Sequence, residues 1–289
     1  MSERTFTVAL AQLAANPANE DRLDHAADAV AEAASRGAQI IVLPELFRHR
    51  YFCQEMTPEH FALAEPVDGP TFARLSPVAR EHEVVIVASL FERVAPGLSF
   101  NTTIVIDADG ALLGRYRKQH IPDDPLFYEK FYFTPGDEGC AVFDTRYARV
   151  GVLICWDQWF PEAARLTAMQ GAEVIVYPTA IGTIDEEGPA EHARQRDAWQ
   201  TVQRGHAIAN GVYVAAVNRV GREQALAFTG GSFACGPQGE LLAVASDVAP
   251  ETAIVTCDRD RLRDVREIWP FFRDRRIDTY GGLTKRWSK

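Results

Sequence analysis

The sequence predicts an α/β protein, because short apolar segments alternate with longer amphipathic segments along the whole chain of 289 residues. The apolar runs at 40–43, 84–90 and 150–154 are bounded by polar or turn residues, as buried strands usually are. No linker of low complexity divides the chain. We therefore expect residues 1–289 to form one compact domain.

In the first half of the chain the pattern predicts five strands and two helices. Gly37 is a stop signal for the first helix, and Asp109-Gly110 is a hairpin signal between the last two strands. Residues 121–136 contain three prolines, which predicts a long loop. The predicted strands are 6–13, 39–43, 84–91, 102–107 and 112–117, and the predicted helices are 19–36 and 70–83.

The second half of the chain repeats this alternation. Gly171 is the stop signal of its first helix, and Gly236 and Gly239 indicate a turn between two strands. The last stretch, 269–289, is rich in arginine and aromatic residues and is expected to be an extended tail. The predicted strands are 148–154, 173–177, 212–218, 228–235, 241–245 and 252–258, and the predicted helices are 161–170, 192–210 and 259–265.

Composition and charge argue against several classes of partner. The net charge of −10 argues against nucleic-acid binding, which needs concentrated basic charge. No apolar run approaches the roughly 20 residues of a membrane-spanning helix. The first residues lack the long apolar stretch of a signal peptide. We expect a cytoplasmic protein with no membrane partner.

The cysteines and histidines predict no metal and no disulfide framework. The five cysteines are scattered and form no CxxC pair, and the seven histidines form no HExxH pattern. We therefore expect a reducing compartment, no metal and no cofactor. A lone cysteine of this kind is usually a small core residue.

Three apolar strands end abruptly in a residue that can do chemistry. These residues are Glu45 in LPELF, Lys118 in YRKQHIP and Cys155 in ICWDQWFPE. In α/β sheets, ligands meet the protein at strand ends, so three such ends can converge on one site. Each residue alone is more often a core or surface residue, and only their conjunction favours a catalytic site.

These three motifs resemble the signature blocks of the nitrilase superfamily, the carbon–nitrogen hydrolases, in the same order. Four further segments resemble the branch of that superfamily that hydrolyses N-carbamoylputrescine, and no departure from the family pattern is found at the catalytic positions. The four segments are YFCQ at 51–54, YEKFYFTPGD at 128–137, YPTAIG at 177–182 and FFRDRRIDTYGGL at 271–283.

The resemblance implies a four-layer α-β-β-α sandwich and a division of catalytic labour. It implies Cys155 as the nucleophile, Glu45 as the general base and Lys118 as the cation beside the oxyanion. It implies that Glu129 is a second carboxylate that positions Lys118 and can assist proton transfer. The implied reaction releases ammonia, carbon dioxide and putrescine through an S-carbamoyl cysteine, without a cofactor, as a step of polyamine biosynthesis.

The resemblance also implies a homo-oligomer. In the sequence, residues 266–289 include aromatic residues that are too apolar for a free tail, and we expect this tail to pack at a subunit interface. Packing on its own subunit is the alternative.

A carbamoyl amine substrate needs apolar walls and a distant anion. Asp185, Glu186 and Glu187 form an acidic run from which one residue is expected to bind the distal ammonium, unless the run is merely a solvated loop. Tyr51 and Trp156 are candidates for the walls, although aromatic residues are as often part of the core.

Two alternatives stay open from the sequence. An N-carbamoyl amino acid or ω-amide substrate needs a cation for its carboxylate, and Arg194, Arg196 and Arg204 are candidates. A nitrilase-like module that acts only by binding partners is the non-enzymatic alternative. The intact set of Glu45, Lys118 and Cys155 argues against it.

Overall fold

Two six-stranded sheets, packed face to face, form the centre of the computed structural model, which describes residues 4–287. The first sheet has the strand order β15-β1-β2-β3-β4-β5. Its strands are β1 (Thr5–Gln12), β2 (Ile40–Val42), β3 (Val85–Ala95), β4 (Leu98–Ile106), β5 (Leu112–Arg117) and β15 (Glu251–Asp258). Its central strands β1, β2 and β3 are parallel, and the others pair antiparallel.

The second sheet has the strand order β14-β13-β10-β8-β7-β6. Its strands are β6 (Ala141–Asp144), β7 (Arg149–Val152), β8 (Val174–Pro178), β10 (Tyr213–Val217), β13 (Phe233–Cys235) and β14 (Leu241–Val244). The central strands β7, β8 and β10 are again parallel.

Helices cover the outer face of each sheet. The helices are α1 (Leu23–Ser35), α2 (Pro70–His82), α3 (Pro161–Met169), α4 (Pro189–Asn210) and α5 (Arg259–Ile268). Helices α1 and α2 pack on the first sheet, whereas α3 and α4 pack on the second. The order of layers is therefore α-β-β-α, which confirms the predicted sandwich.

Strand β1 shows how the sequence pattern builds these layers. Successive side chains of a strand point to opposite faces of the sheet. Phe6, Val8 and Leu10 lie in the core between the two sheets, and Ala9 and Ala11 lie in the core beneath the helices. The small residues let the helices approach closely.

A third sheet of three strands, in the order β11-β12-β9, lies beside the sandwich. Its strands are β9 (Gly182–Ile184), β11 (Val220–Glu223) and β12 (Leu226–Thr229). The prediction of one strand over 228–235 was wrong, because Gly230 and Gly231 both adopt positive φ (55° and 63°) and divide it between two sheets. The sequence pattern also missed β6, β9 and β11, which have only three or four residues each.

The tail beyond α5 is not fully extended, since it contains a 3₁₀ helix at Ile277–Thr284. Trp269 and Phe271 remain about two-fifths exposed (45% and 41%). The guanidinium of Arg165 on α3 lies 5.2 Å from the ring centre of Phe272. Residues 288–289 of the tail lie outside the described residues. Within residues 4–287, no helix is both long and apolar enough to cross a membrane.

Candidate active site

A lysine ammonium lies between two carboxylates at the edge of the sandwich. Lys118 Nζ is 2.7 Å from Glu45 Oε1 and 2.7 Å from Glu129 Oε2. All three side chains are buried. Asn101 Nδ2 donates to Glu45 Oε1 at 2.7 Å and lies 3.4 Å from Glu129 Oε2. The site thus brings Glu45 into contact with Lys118, which lies 73 positions later in the chain.

Three of the candidate catalytic residues follow the end of a strand. Glu45 follows β2, Lys118 follows β5 directly, and Cys155 follows β7. Glu129 begins a 3₁₀ turn (Glu129–Phe131) within the proline-rich loop. The structure therefore brings the predicted strand ends to one place, because both sheets present these ends at the same edge of the sandwich.

The two carboxylates differ in the hydrogen bonds that they accept. Both oxygens of Glu129 are engaged, Oε1 by the hydroxyl of Tyr51 at 2.7 Å and Oε2 by Lys118. Glu45 uses only Oε1, and its buried Oε2 has no hydrogen-bond partner among the described residues. Of these two carboxylates, only Glu45 therefore has an oxygen without a hydrogen-bond partner among the described residues.

Burial and neighbouring charge shift the acidity of these groups. Burial alone would lower the pKa of Lys118, but Glu129 and Glu45 outweigh it and hold that pKa well above its usual value. Burial raises the pKa of Glu129 to about 7, with Glu45 adding to the rise and Lys118 and Tyr51 opposing it. Lys118 is therefore a permanent cation, whereas Glu129 titrates near neutral pH.

Cys155 lies on a sharp turn from β7 into a 3₁₀ helix, Cys155–Trp159. Its φ is +40°, in the left-handed region that residues other than glycine rarely adopt. Burial is the main cause that raises the pKa of the Cys155 thiol well above its usual value; Glu45 adds to the rise and Lys118 opposes it. A thiol that keeps its proton at neutral pH needs a base to remove it during attack.

Cys155 opens onto a cavity of about 500 Å³. Most of its lining is apolar, and its charged lining residues are all acids: Asp124, Glu129 and Glu187. No arginine, lysine or histidine belongs to this lining within residues 4–287. The described lining residues are Pro122, Asp124, Pro125, Phe127, Glu129, Cys155, Trp156, Gln158, Trp159, Ala180, Ile181, Gly182, Ile184, Glu187, Gln195 and Ala198.

The candidate substrate residues lie in different places. Trp156 and Glu187 line the cavity. Tyr51 is fully buried behind Glu129, where its hydroxyl supports that carboxylate. Asp185 points away toward Arg222, with which it forms an exposed ion pair at 2.6 Å, and Glu186 is not part of the described lining.

The three candidate arginines lie outside the described lining of this cavity. Arg194 forms an ion pair with Glu191 on the same helix, and Arg196 forms one with Asp247. Arg204 donates to a backbone carbonyl, that of Gly239.

The sequence pattern missed several polar residues that support this site. Asn101 contacts both carboxylates, and Asp157 is fully buried two residues after Cys155. Arg219 donates to the backbone carbonyls of Glu45 and Leu46 at 2.7 and 2.9 Å. Asp157 lies within the motif ICWDQWFPE and could have been found there, but Asn101 and Arg219 have no local signal. The described residues contain no cluster of three or more His, Cys, Asp or Glu side chains suited to a metal ion.

Known proteins that resemble this chain identify its family. The sequence profile of the carbon-nitrogen hydrolase family matches residues 7–267. The chain belongs to the carbon–nitrogen hydrolase family. This confirms the resemblance inferred from the motifs and establishes a hydrolytic enzyme of the amidase type.

Two relatives and one solved structure show how far the similarity extends. The chain is 46% identical over 286 residues to N-carbamoylputrescine amidase of Solanum tuberosum. The alignment covers 96% of this chain and 94% of the relative. It is 40% identical over 285 residues to citrullinase of Francisella tularensis. That alignment covers 97% of this chain and 98% of the relative. A carbon–nitrogen hydrolase from Helicobacter pylori G27 has the same fold, with a TM-score of 0.93, 44% identity and coverage of 98% and 100%.

Proposed function

We propose that this carbon–nitrogen hydrolase cleaves the terminal ureido C–N bond of N-carbamoylputrescine, in polyamine biosynthesis. The observation that carries the proposal is the cavity beside Cys155, whose charged lining is entirely acidic. N-carbamoylputrescine has a neutral ureido head, a four-carbon chain and a distal ammonium. An apolar cavity with acids at its exposed rim complements such a molecule.

Cys155 attacks the ureido carbon in the first step. Glu45 Oε2, which has no other hydrogen bond among the described residues, takes the thiol proton as the C–S bond forms. Negative charge builds on the ureido oxygen and is stabilised by Lys118 and by the backbone N–H of Trp156. An ammonium has three N–H donors, of which two are held by Glu45 and Glu129, so one is left for the oxyanion. One such donor typically contributes about 3 kcal/mol of transition-state stabilisation.

Collapse of the tetrahedral intermediate releases ammonia. Protonated Glu45 donates to the terminal nitrogen as the C–N bond breaks, which leaves an S-carbamoyl group on Cys155. A water molecule then attacks that carbon, Glu45 accepts its proton, and the C–S bond breaks with return of a proton to sulfur. The released carbamate loses carbon dioxide to give putrescine.

Glu129 does not exchange protons in this scheme. Its two oxygens are occupied by Tyr51 and Lys118, so it positions the ammonium and balances its charge. We propose that Glu187 at the rim of the cavity pairs with the distal ammonium and that Trp156 provides part of the apolar wall.

Citrulline is the second candidate substrate, because a relative with 40% identity is a citrullinase. Citrulline carries the same ureido head and an ammonium, but it also carries a carboxylate. The described cavity lining offers no cation for that carboxylate, and its two exposed acids, Asp124 and Glu187, would repel it. The same reasoning disfavours N-carbamoyl amino acids and ω-amides that end in a carboxylate.

An ammonia-release assay tests the proposal. N-carbamoylputrescine, citrulline and N-carbamoyl-β-alanine are compared on the same enzyme, with Cys155→Ser as the inactive control. We expect the highest kcat/KM for N-carbamoylputrescine. Preference for either carboxylate-bearing compound would overturn the substrate assignment, and an active Cys155→Ser variant would overturn the nucleophile.

Labelling with iodoacetamide tests the nucleophile by a second route. We expect stoichiometric alkylation of Cys155 with parallel loss of activity. Cys235 is the internal control, because its side chain is fully buried and no catalytic group faces it among the described contacts. Equal reactivity of Cys155 and Cys235 would contradict the proposed role.

We also propose that the protein is a cytoplasmic homo-oligomer. All five cysteines are free, as expected in a reducing compartment. Apolar side chains at the ends of α3 and α5 and on the tail, including Met169, Ile268 and Trp269, are exposed on the single chain. Truncation before Trp269 followed by light scattering tests whether residues 266–289 contribute to the subunit interface. An unchanged number of subunits in the assembly after truncation would contradict a contribution of the tail to the interface.

A further inference from the structure

The carboxylate of Asp157 is fully buried and accepts four hydrogen bonds. Oδ1 accepts from the backbone N–H of His120 at 3.0 Å and lies 2.7 Å from Nδ1 of the same residue. Oδ2 accepts from the hydroxyl of Tyr116 at 2.8 Å and from the backbone N–H of Ile154 at 3.0 Å. Both oxygens are therefore saturated by donors from two separate segments of the chain.

These donors flank the two residues that perform the chemistry. Tyr116 and His120 lie two residues before and two residues after Lys118. Ile154 lies one residue before Cys155, and Asp157 lies two residues after it. One carboxylate thus joins the end of β5, in the first sheet, to the turn after β7, in the second sheet.

We propose that Asp157 is a positioning residue that fixes Lys118 relative to Cys155. The inference rests on the proposed function, and it adds a residue that touches neither the substrate nor the reacting atoms. The core between the two sheets is largely apolar, and apolar packing sets distance but not direction. Hydrogen bonds to a charged acceptor are directional and stronger than neutral ones.

The surroundings restrict movement of the donors. The His120 ring stacks on Phe160 at 3.7 Å between centroids and 8° between planes. Phe160 begins the connection to α3, so the stack joins Lys118's segment to a second element. The left-handed φ of Cys155 also needs support from its neighbours, and the bond from Ile154 to Asp157 closes the turn around it.

Asp157→Asn tests the proposal with little change in shape. In asparagine an N–H₂ group replaces one carboxylate oxygen. That group would face the two N–H or O–H donors that the oxygen accepts from in the wild type, so donors would face donors. Because a displacement of about 1 Å can cost about 100-fold in rate, we expect kcat to fall about 100-fold with little change in KM. We also expect iodoacetamide to alkylate Cys155 about tenfold more slowly, since a displaced Lys118 stabilises the thiolate less.

Two further variants make the test independent of folding defects. Tyr116→Phe removes one of the four bonds and introduces no unmatched donor, so kcat is expected to fall about threefold to tenfold. Ser76→Ala removes a buried hydrogen bond to the Gly110 carbonyl in a hairpin away from the site. It should lower the melting temperature and leave kcat and the alkylation rate unchanged.

The outcomes separate this inference from the proposed function. If wild-type enzyme releases no ammonia from N-carbamoylputrescine, the substrate assignment fails, and the alkylation rates still decide the role of Asp157. A folded Asp157→Asn variant with wild-type kcat and alkylation rate would overturn the inference. If Asp157→Asn does not fold, a Tyr116→Phe variant with wild-type rates would overturn it.

Discussion

The hydroxyl of Tyr51 donates to Oε1 of Glu129 at 2.7 Å, and both side chains are buried. This hydrogen bond lowers the pKa of Glu129, which burial raises to about 7. In Tyr51→Phe we therefore expect that pKa to rise further, so that more Glu129 is protonated at neutral pH. At neutral pH we expect the kcat of Tyr51→Phe to be about tenfold below that of the wild type. The difference in kcat should become smaller as the pH becomes alkaline.

The matched control for Tyr51→Phe is Tyr177→Phe. Tyr177 is also a buried tyrosine, but its hydroxyl has no hydrogen-bond partner within the described part of the chain. Its removal should leave the pH–rate profile unchanged. If the acidic side of the pH–rate profile of Tyr51→Phe also coincides with that of the wild type, the role given to Tyr51 is wrong.

Lys118→Ala should abolish turnover while the fold survives. The substitution removes the cation that lies 2.7 Å from two buried carboxylates and deprives the oxyanion of a donor. We expect kcat/KM to fall by at least about 10³-fold. Circular dichroism checks the fold and ammonia release checks the rate. Near-normal activity in a folded variant would refute the catalytic assignment.

The titration of Glu129 should make stability depend on pH. Its pKa is raised from 4.5 to about 7, so between these values the folded state holds a proton that the unfolded chain has lost. The stabilisation is fully present below 4.5 and is lost as the pH rises through about 7. Glu129→Gln removes this titration, so its free energy of unfolding should decline less over the same interval.

Urea unfolding at a series of pH values measures this difference. Glu186→Gln, an exposed change, should follow the wild type throughout. Parallel stability curves for Glu129→Gln and the wild type would contradict the expected linkage.

Glu187→Gln should weaken recognition of the distal ammonium. Glu187 lines the cavity rim and its side chain is 35% exposed, so solvent reduces the strength of the pair. We expect kcat/KM for N-carbamoylputrescine to fall about tenfold, mainly through KM. N-butylurea, which lacks the ammonium, should be hydrolysed equally by variant and wild type.

Glu186→Gln is the control for this substitution, since Glu186 is outside the described cavity lining. It should leave both substrates unaffected. An equal loss in Glu186→Gln, or an equal loss on N-butylurea, would show that the effect of Glu187 is not charge recognition.

The buried ion pair between Arg219 and Glu223 should contribute strongly to stability. The pair is 2.9 Å long, and Arg219 also donates to the backbone carbonyls of Glu45 and Leu46. Arg219→Met leaves Glu223 buried and without its charge partner. We expect a loss of about 3–5 kcal/mol in the free energy of unfolding, measured in urea.

Arg222→Met is the neighbouring control. Arg222 lies in β11 next to Glu223, and its ion pair with Asp185 is exposed. Exposed pairs typically contribute at most about 1 kcal/mol, so this variant should remain close to the wild type. Equal destabilisation in both arginine variants would contradict the distinction between the buried and the exposed pair.

The fold class and the residues proposed to be reactive were predictable from local patterns. Alternating apolar periodicity is a property of neighbouring residues, so most long strands and helices were predicted within a few residues of their observed ends. Glu45, Lys118 and Cys155 each lie in a compact motif, and short motifs are visible without knowledge of the fold. The three-stranded sheet was missed because its strands are too short to show a period.

The sequence alone therefore determined the α/β class, the family and the carboxylate, ammonium and thiol groups that are proposed to carry the reaction. Only the tertiary structure decided which carboxylate has a free oxygen, because Tyr51 and Asn101 reach the site from distant parts of the chain. It also decided that Glu187, rather than Asp185, lines the cavity. The physical reason is that hydrogen bonds and charge pairing depend on distances in space, and residues far apart in sequence become neighbours only when the two sheets pack.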